Sequence, residues 1–88
     1  MIITRQIVAQ KLGAYLRHEL SLTELVDWAE EAMREGELDA SGFPEIRDVI
    51  ARLGLADVRA FGLSWEDCEG LLRRLGYAAH VEIQAVGV

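Results

Sequence analysis

One cysteine, one lysine, one proline and two histidines are all that this chain holds of those types, and each scarcity narrows what it can be. A lone Cys68 cannot close an internal disulfide, so nothing calls for an oxidising compartment. No apolar run approaches the ~20 residues that span a bilayer. The opening MIITRQIVAQKL lacks the apolar stretch and small-residue cleavage site of a secretory signal. The expectation is therefore a soluble, cytoplasmic protein without a membrane partner. Lys11 is the only lysine, and the arginines are scattered through a chain of net charge −6. Phosphate backbones repel such a surface, and nucleic-acid affinity rests on clustered Lys and Arg, so nucleic acid is not an expected ligand.

Chemical motifs are equally sparse. His18 and His80 lie far apart, and the carboxylates do not follow the spacing of a calcium loop, so no metal site is expected. There is no G-x-G-x-x-G and no P-loop to cradle a phosphate, hence no expected cofactor. Ser21 and Ser64 are read as helix caps and Cys68 as a small core residue. Neither histidine is tied to them by a motif. Without the usual constellation of nucleophile, base and orienting group, the chain is not expected to be an enzyme and no residue is assigned a catalytic role.

What is present describes a helical protein. Eighty-eight residues suffice for one domain, 1–88, and 51% apolar with 27% charged residues is globular composition. Ile7, Val8, Leu12, Tyr15 and Leu16 recur at helical spacing and predict a first helix over about 4–19, with Gly13 as a point of close helix contact. Ser21 and Glu24 form an S-x-x-E capping box, flanked by a Leu20–Leu25 hydrophobic staple. The second helix should run to Arg34 or Glu35 with Gly36 as a left-handed terminator, its apolar face made of Leu22, Leu25, Val26, Ala29, Ala32 and Met33. GELDASGFP reads as a loop, with Pro44 opening a third helix that buries Ile46, Val49, Ile50 and Leu53. RLGL, AFGL and RLGY each place a glycine between apolar residues, as helix ends do. They bracket a short helix between Gly54 and Gly62, anchored by Leu55, Val58 and Phe61, with a strand over 58–61 as the rival reading. Ser64 and Asp67 cap the last helix, which should bury Trp65, Cys68, Leu71, Leu72 and Leu75 and stop at Gly76. The fold class is mainly α, a small bundle of four to five short helices, with Leu12, Leu25, Val26, Val49, Ile50, Leu53, Leu71 and Leu72 in its core.

After Gly76 the period changes. Val81, Ile83 and Ala85 alternate with His80, Glu82 and Gln84, which predicts one C-terminal β-strand. A lone strand leaves a row of unpaired backbone groups. It could pair with residues 1–3, with 58–61, or with a second copy of itself. Self-pairing satisfies the whole edge, so a homodimer through Val81, Ile83 and Ala85 is expected.

Charge is concentrated in one place. SLTELVDWAEEAMREGELDA, residues 21–40, holds seven carboxylates and one arginine, so the remaining eight acids and eight bases cancel. On a helical wheel Glu24, Asp27, Glu31 and Glu35 lie opposite the apolar stripe, with Trp28 at its edge beside Glu24 and Glu35. Glu37 and Asp39 follow on the loop. Like charges at i, i+4 (Asp27–Glu31, Glu31–Glu35) each cost a few tenths of a kcal/mol. One reading is a solvated face that only keeps the protein soluble. The other is a surface for a basic protein, where acids speed encounter and Trp28 is buried by the partner.

YLRHELSLTELVDW carries a resemblance. Its aromatic–Leu pair, Glu19-Leu20-Ser21 and Glu24-Leu25 are similar to the early part of small bacterial colicin-type immunity proteins, over about a sixth of the chain. The resemblance implies a helical-bundle inhibitor that neutralises a basic nuclease toxin by covering its catalytic surface with acidic side chains. Glu24, Asp27, Trp28, Glu31 and Glu35 would then map onto the inhibitory face. The expected function is a small acidic protein-binding module, immunity- or antitoxin-like. The alternative is a structural or assembly protein that forms a homodimer, its acidic face serving solubility alone. A toxin gene immediately upstream would separate the two.

Overall fold

Three of the four described helices begin where a hydroxyl can satisfy an orphan N–H. Thr4 Oγ1 accepts from Ile7 N–H at 3.2 Å and opens α1 (Arg5–Leu16). Ser21 opens α2 (Leu22–Glu35) with both halves of a capping box: its hydroxyl accepts from Glu24 N–H at 3.1 Å, and Glu24 Oε1 accepts from Ser21 N–H at 2.9 Å. Ser64 and Asp67 repeat the arrangement at 3.1 and 2.9 Å to open α4 (Trp65–Arg74). Between them lies α3 (Phe43–Gly54), with Pro44 in its first turn. In this computed structural model, which describes residues 2–58 and 62–87, those four helices are joined by two short strands, β1 (Ile2–Ile3) and β2 (Glu37–Leu38).

The strands form a parallel pair, Ile2 beside Glu37 and Ile3 beside Leu38, with Asp39 N–H donating to Ile3 C=O at 2.9 Å. Parallel strands need a long crossover, here supplied by α1 and α2. The loop expected over GELDASGFP is thus partly strand. Gly36 is not the left-handed terminator expected: at φ −78°, ψ 150° it leads straight into β2. A Cβ there would fall 2.5 Å from Ala32 O in the last turn of α2 and 2.9 Å from Ile3 Cγ1 of β1, so the end of α2 and the approach of β1 together exclude a side chain.

The C-terminal strand does not form. Tyr77 to Gly87 have neither helix nor strand structure, and Val81, Ile83 and Val86 are 65%, 92% and 89% exposed. Alternation makes a segment capable of being a strand, but a ladder needs a partner, and among the described residues β1 pairs with β2 and not with this segment. The short helix between Gly54 and Gly62 is replaced, over the described part, by turns through Val58. Leu55 and Val58 are each 44% exposed, and Ala56 is the residue buried there. Arg59 to Phe61 lie outside the described residues, so the strand alternative over 58–61 is described only at Val58, which sits in a bend. Gly54 is helical, and Gly76 is the left-handed stop expected, at φ +92°.

All eight residues expected in the core are buried, joined by Ile3, Val8, Ile46, Cys68 and Leu75. The α2–α3 interface is the most extensive. Arg52 of α3 secures the start of α4, donating to Gly62 C=O at 3.0 Å and reaching Asp67 Oδ2 at 3.5 Å. Three expectations about individual side chains fail. Met33 is exposed rather than on the buried face, Trp65 is exposed at the mouth of a groove, and a Cβ on Gly13 would meet only the Arg17 side chain, not another helix. Among the described residues no helix is long and apolar enough to cross a membrane.

Candidate protein-binding site

α2 presents its carboxylates because its other side is occupied. Leu25, Val26, Ala29 and Ala32 are buried, which turns Glu24, Asp27, Glu31 and Glu35 to solvent. Trp28 sits between, partly buried against the core. Trp28, Glu31 and Glu35 line one open groove of about 300 Å³, whose floor is Ile3, Ala32 and Gly36. An apolar floor with two carboxylates and an indole around it is the arrangement expected of an anchor pocket for an extended or basic side chain.

The expected residues do not all converge. Glu24 lines a different groove, of about 620 Å³, between the end of α1 and the start of α4, beside His18 and Trp65. Its carboxylate is engaged by Ser21, whose backbone N–H and then hydroxyl hold its pKa below the ordinary carboxylate value. Asp39 is also engaged locally: its Oδ1 accepts from Ser41 N–H at 3.2 Å, stabilising the turn after β2. Asp27 and Glu37 are exposed, on α2 and β2.

The arginines that form ion pairs among the described residues form them elsewhere. Among the described residues, ion pairs join Arg17 to Glu19, Arg47 and Arg74 to Asp48, and Arg52 to Asp67. None of these reaches a carboxylate of residues 24–39. Lys11 of α1 does approach, but it stands over the Trp28 ring rather than on an acid. Sequence spacing does not mark Lys11, Ile3 or Gly36 as part of this surface. They come from α1, β1 and the α2–β2 junction, and no local pattern links them to Trp28.

Ser21, Ser64 and Cys68, weighed for chemistry, have structural duties. Both serines cap helices. Cys68 is fully buried, and that burial raises its thiol pKa to about 11, which keeps it un-ionised and unreactive at neutral pH. Among the described residues no group of three or more His, Cys, Asp or Glu is placed to hold a metal ion. No known protein family, curated protein or solved structure matches the chain.

Proposed function

We propose that this protein is a small acidic binding module that covers a basic partner protein with the outward face of α2. One observation carries the reading: Glu31 and Glu35 share a groove with Trp28, and no ion pair among the described residues engages them. Unpaired carboxylates steer a positive surface into encounter, and the groove beside the indole receives a side chain from it once contact is made. Asp27 and Glu37 extend the negative field. Glu24 and Asp39, committed to a cap and a turn, contribute charge but not freely moving side chains. The resemblance to colicin-type immunity proteins, together with this surface, favours a basic nuclease toxin as the partner and inhibition by steric and electrostatic cover as the mode of action. No reaction is assigned to the chain, and no metal or cofactor.

The test uses the full chain as bait in native lysate. The wild type should retain a basic protein in a salt-sensitive manner. Glu31→Lys/Glu35→Lys should lose it while keeping the helical circular dichroism, because both positions are exposed. Trp28→Ala should chiefly raise the dissociation rate. Equal capture by wild type and the charge-reversed variant would end this reading and leave the alternative, a homodimeric assembly protein whose acidic face serves solubility.

A further inference from the structure

The segment after α4 is an apolar feature that neither the core nor the α2 surface absorbs. Val81 is 65% exposed and Ile83 92% exposed, and Val81 borders a groove of about 530 Å³ between α1 and α4, with Leu16, Leu72, Trp65 and Tyr77. Trp65 and Tyr77 are themselves 37% and 41% exposed. Among the described residues this segment pairs with no strand of its own chain, yet its residues alternate as a half-buried strand does.

We infer that residues 80–86 are a self-association strand, and that their partner is the same segment of a second copy, antiparallel about a two-fold axis at Ile83. Three points on the molecule select that occupant and that register. Centring on Ile83 places Val81 opposite the second copy's Ala85, so six apolar side chains share one face. It places Glu82 opposite Gln84 of the second copy, so no two carboxylates face each other. Within one chain Gln84 Nε2 already donates to Glu82 Oε1 at 3.2 Å, and the dimer exchanges that bond reciprocally between copies. Centring one residue earlier would set Glu82 against Glu82, and centring between two residues would set Ile83 against Glu82 or Gln84; with the axis at Ile83 the one mixed pair is the outermost, His80 with Val86. The apolar face then closes over the Trp65–Tyr77 groove of each copy. Val81, Ile83, Trp65 and Tyr77 expose on the order of 500 Å² per copy, so two copies bring about 1,000 Å², the size at which specific interfaces begin.

Sedimentation of the full chain at micromolar concentration should give two chains per particle. Ile83→Asp should raise the dimer dissociation constant at least a hundredfold with unchanged helix signal, since Ile83 makes little contact within its own chain. Register is read by oxidation. Ile83→Cys should cross-link, because directly paired residues in antiparallel strands stand about 4.5–5.5 Å apart, within disulfide reach. Val81→Cys should not, because the two copies of residue 81 would be four residues out of step, roughly 13 Å. Cys68 is buried and does not compete. A monomeric full chain, an Ile83→Asp variant that still dimerises, or cross-linking at 81 in place of 83 would each overturn the inference. None of these outcomes depends on the α2 face.

Discussion

The ammonium of Lys11 stands 5.6 Å from the centroid of the Trp28 ring. It joins α1 to the edge of the acidic face, in a contact that no sequence spacing announces. A cation–π pair of this exposure is worth about 0.5–1 kcal/mol. Urea unfolding of wild type, Lys11→Met, Trp28→Leu and the double variant should return a coupling energy of that size. Lys11→Met should also speed association with a basic partner, since it removes a positive charge beside the groove.

Two glycines should respond oppositely to alanine. At Gly36 the added Cβ meets a backbone carbonyl at 2.5 Å, which cannot step aside without breaking the end of α2 or its contact with β1. Gly36→Ala should cost about 1–3 kcal/mol, as overpacking does. Gly70 is exposed within α4, and a Cβ there meets nothing within 4 Å. Gly70→Ala should gain about 0.5–1 kcal/mol from helix propensity. Denaturant midpoints compare the pair directly.

α1 and α4 end in the same way with different residues. Glu19 N–H donates to Ala14 C=O and His18 N–H to Tyr15 C=O, while Tyr77 N–H donates to Leu72 C=O and Gly76 N–H to Arg73 C=O. Both are Schellman motifs, with His18 at φ +63° where α4 uses Gly76. A left-handed non-glycine costs roughly 1–2 kcal/mol, partly offset by the lower chain entropy of the unfolded histidine. His18→Gly should therefore raise the melting temperature. Gly76→Ala should lower it by about 4–8 °C, corresponding to ~1 kcal/mol in a domain of this size.

Acid should weaken the fold through its caps. The pKa of Glu24 is lowered by Ser21 N–H and hydroxyl, that of Asp67 by Ser64 in the same way, and that of Asp48 by Arg74 and then Arg47. A folded pKa below the unfolded one means the unfolded chain binds protons first. Stability from these groups is thus complete above the ordinary carboxylate pKa, about 4, and is lost as pH falls through the folded values. Denaturant midpoints should decline from about pH 5 downward. Glu24→Gln/Asp67→Asn should be less stable at neutral pH and should show a shallower decline.

Features that depend on residues three or four apart are legible in the amino-acid sequence by itself. Both capping boxes, the apolar stripes of α2, α3 and α4, and the left-handed stop at Gly76 are interactions a helix makes with itself, and a helix brings those partners together wherever it lies. The core follows, because burying those stripes is the only way four short helices can shed apolar surface. The exposed position of the α2 carboxylates follows too, as the reverse of its buried face.

Tertiary structure decided what no short window contains. β1 and β2 are two residues each and separated by two helices, too short to show a period and paired only because α1 and α2 return the chain beside its start. That pairing made Gly36 a point of close approach rather than a left-handed turn. It also gave the N-terminal segment a partner other than the alternating residues 80–86. The groove at Trp28 likewise needed Ile3 from one strand, and the Trp28 ring itself meets Lys11 from another helix. Alternation and helical spacing state which face of a segment is apolar. Which edge or face it meets depends on loop closure and on competition among partners distant in the chain, and only the assembled fold settles that.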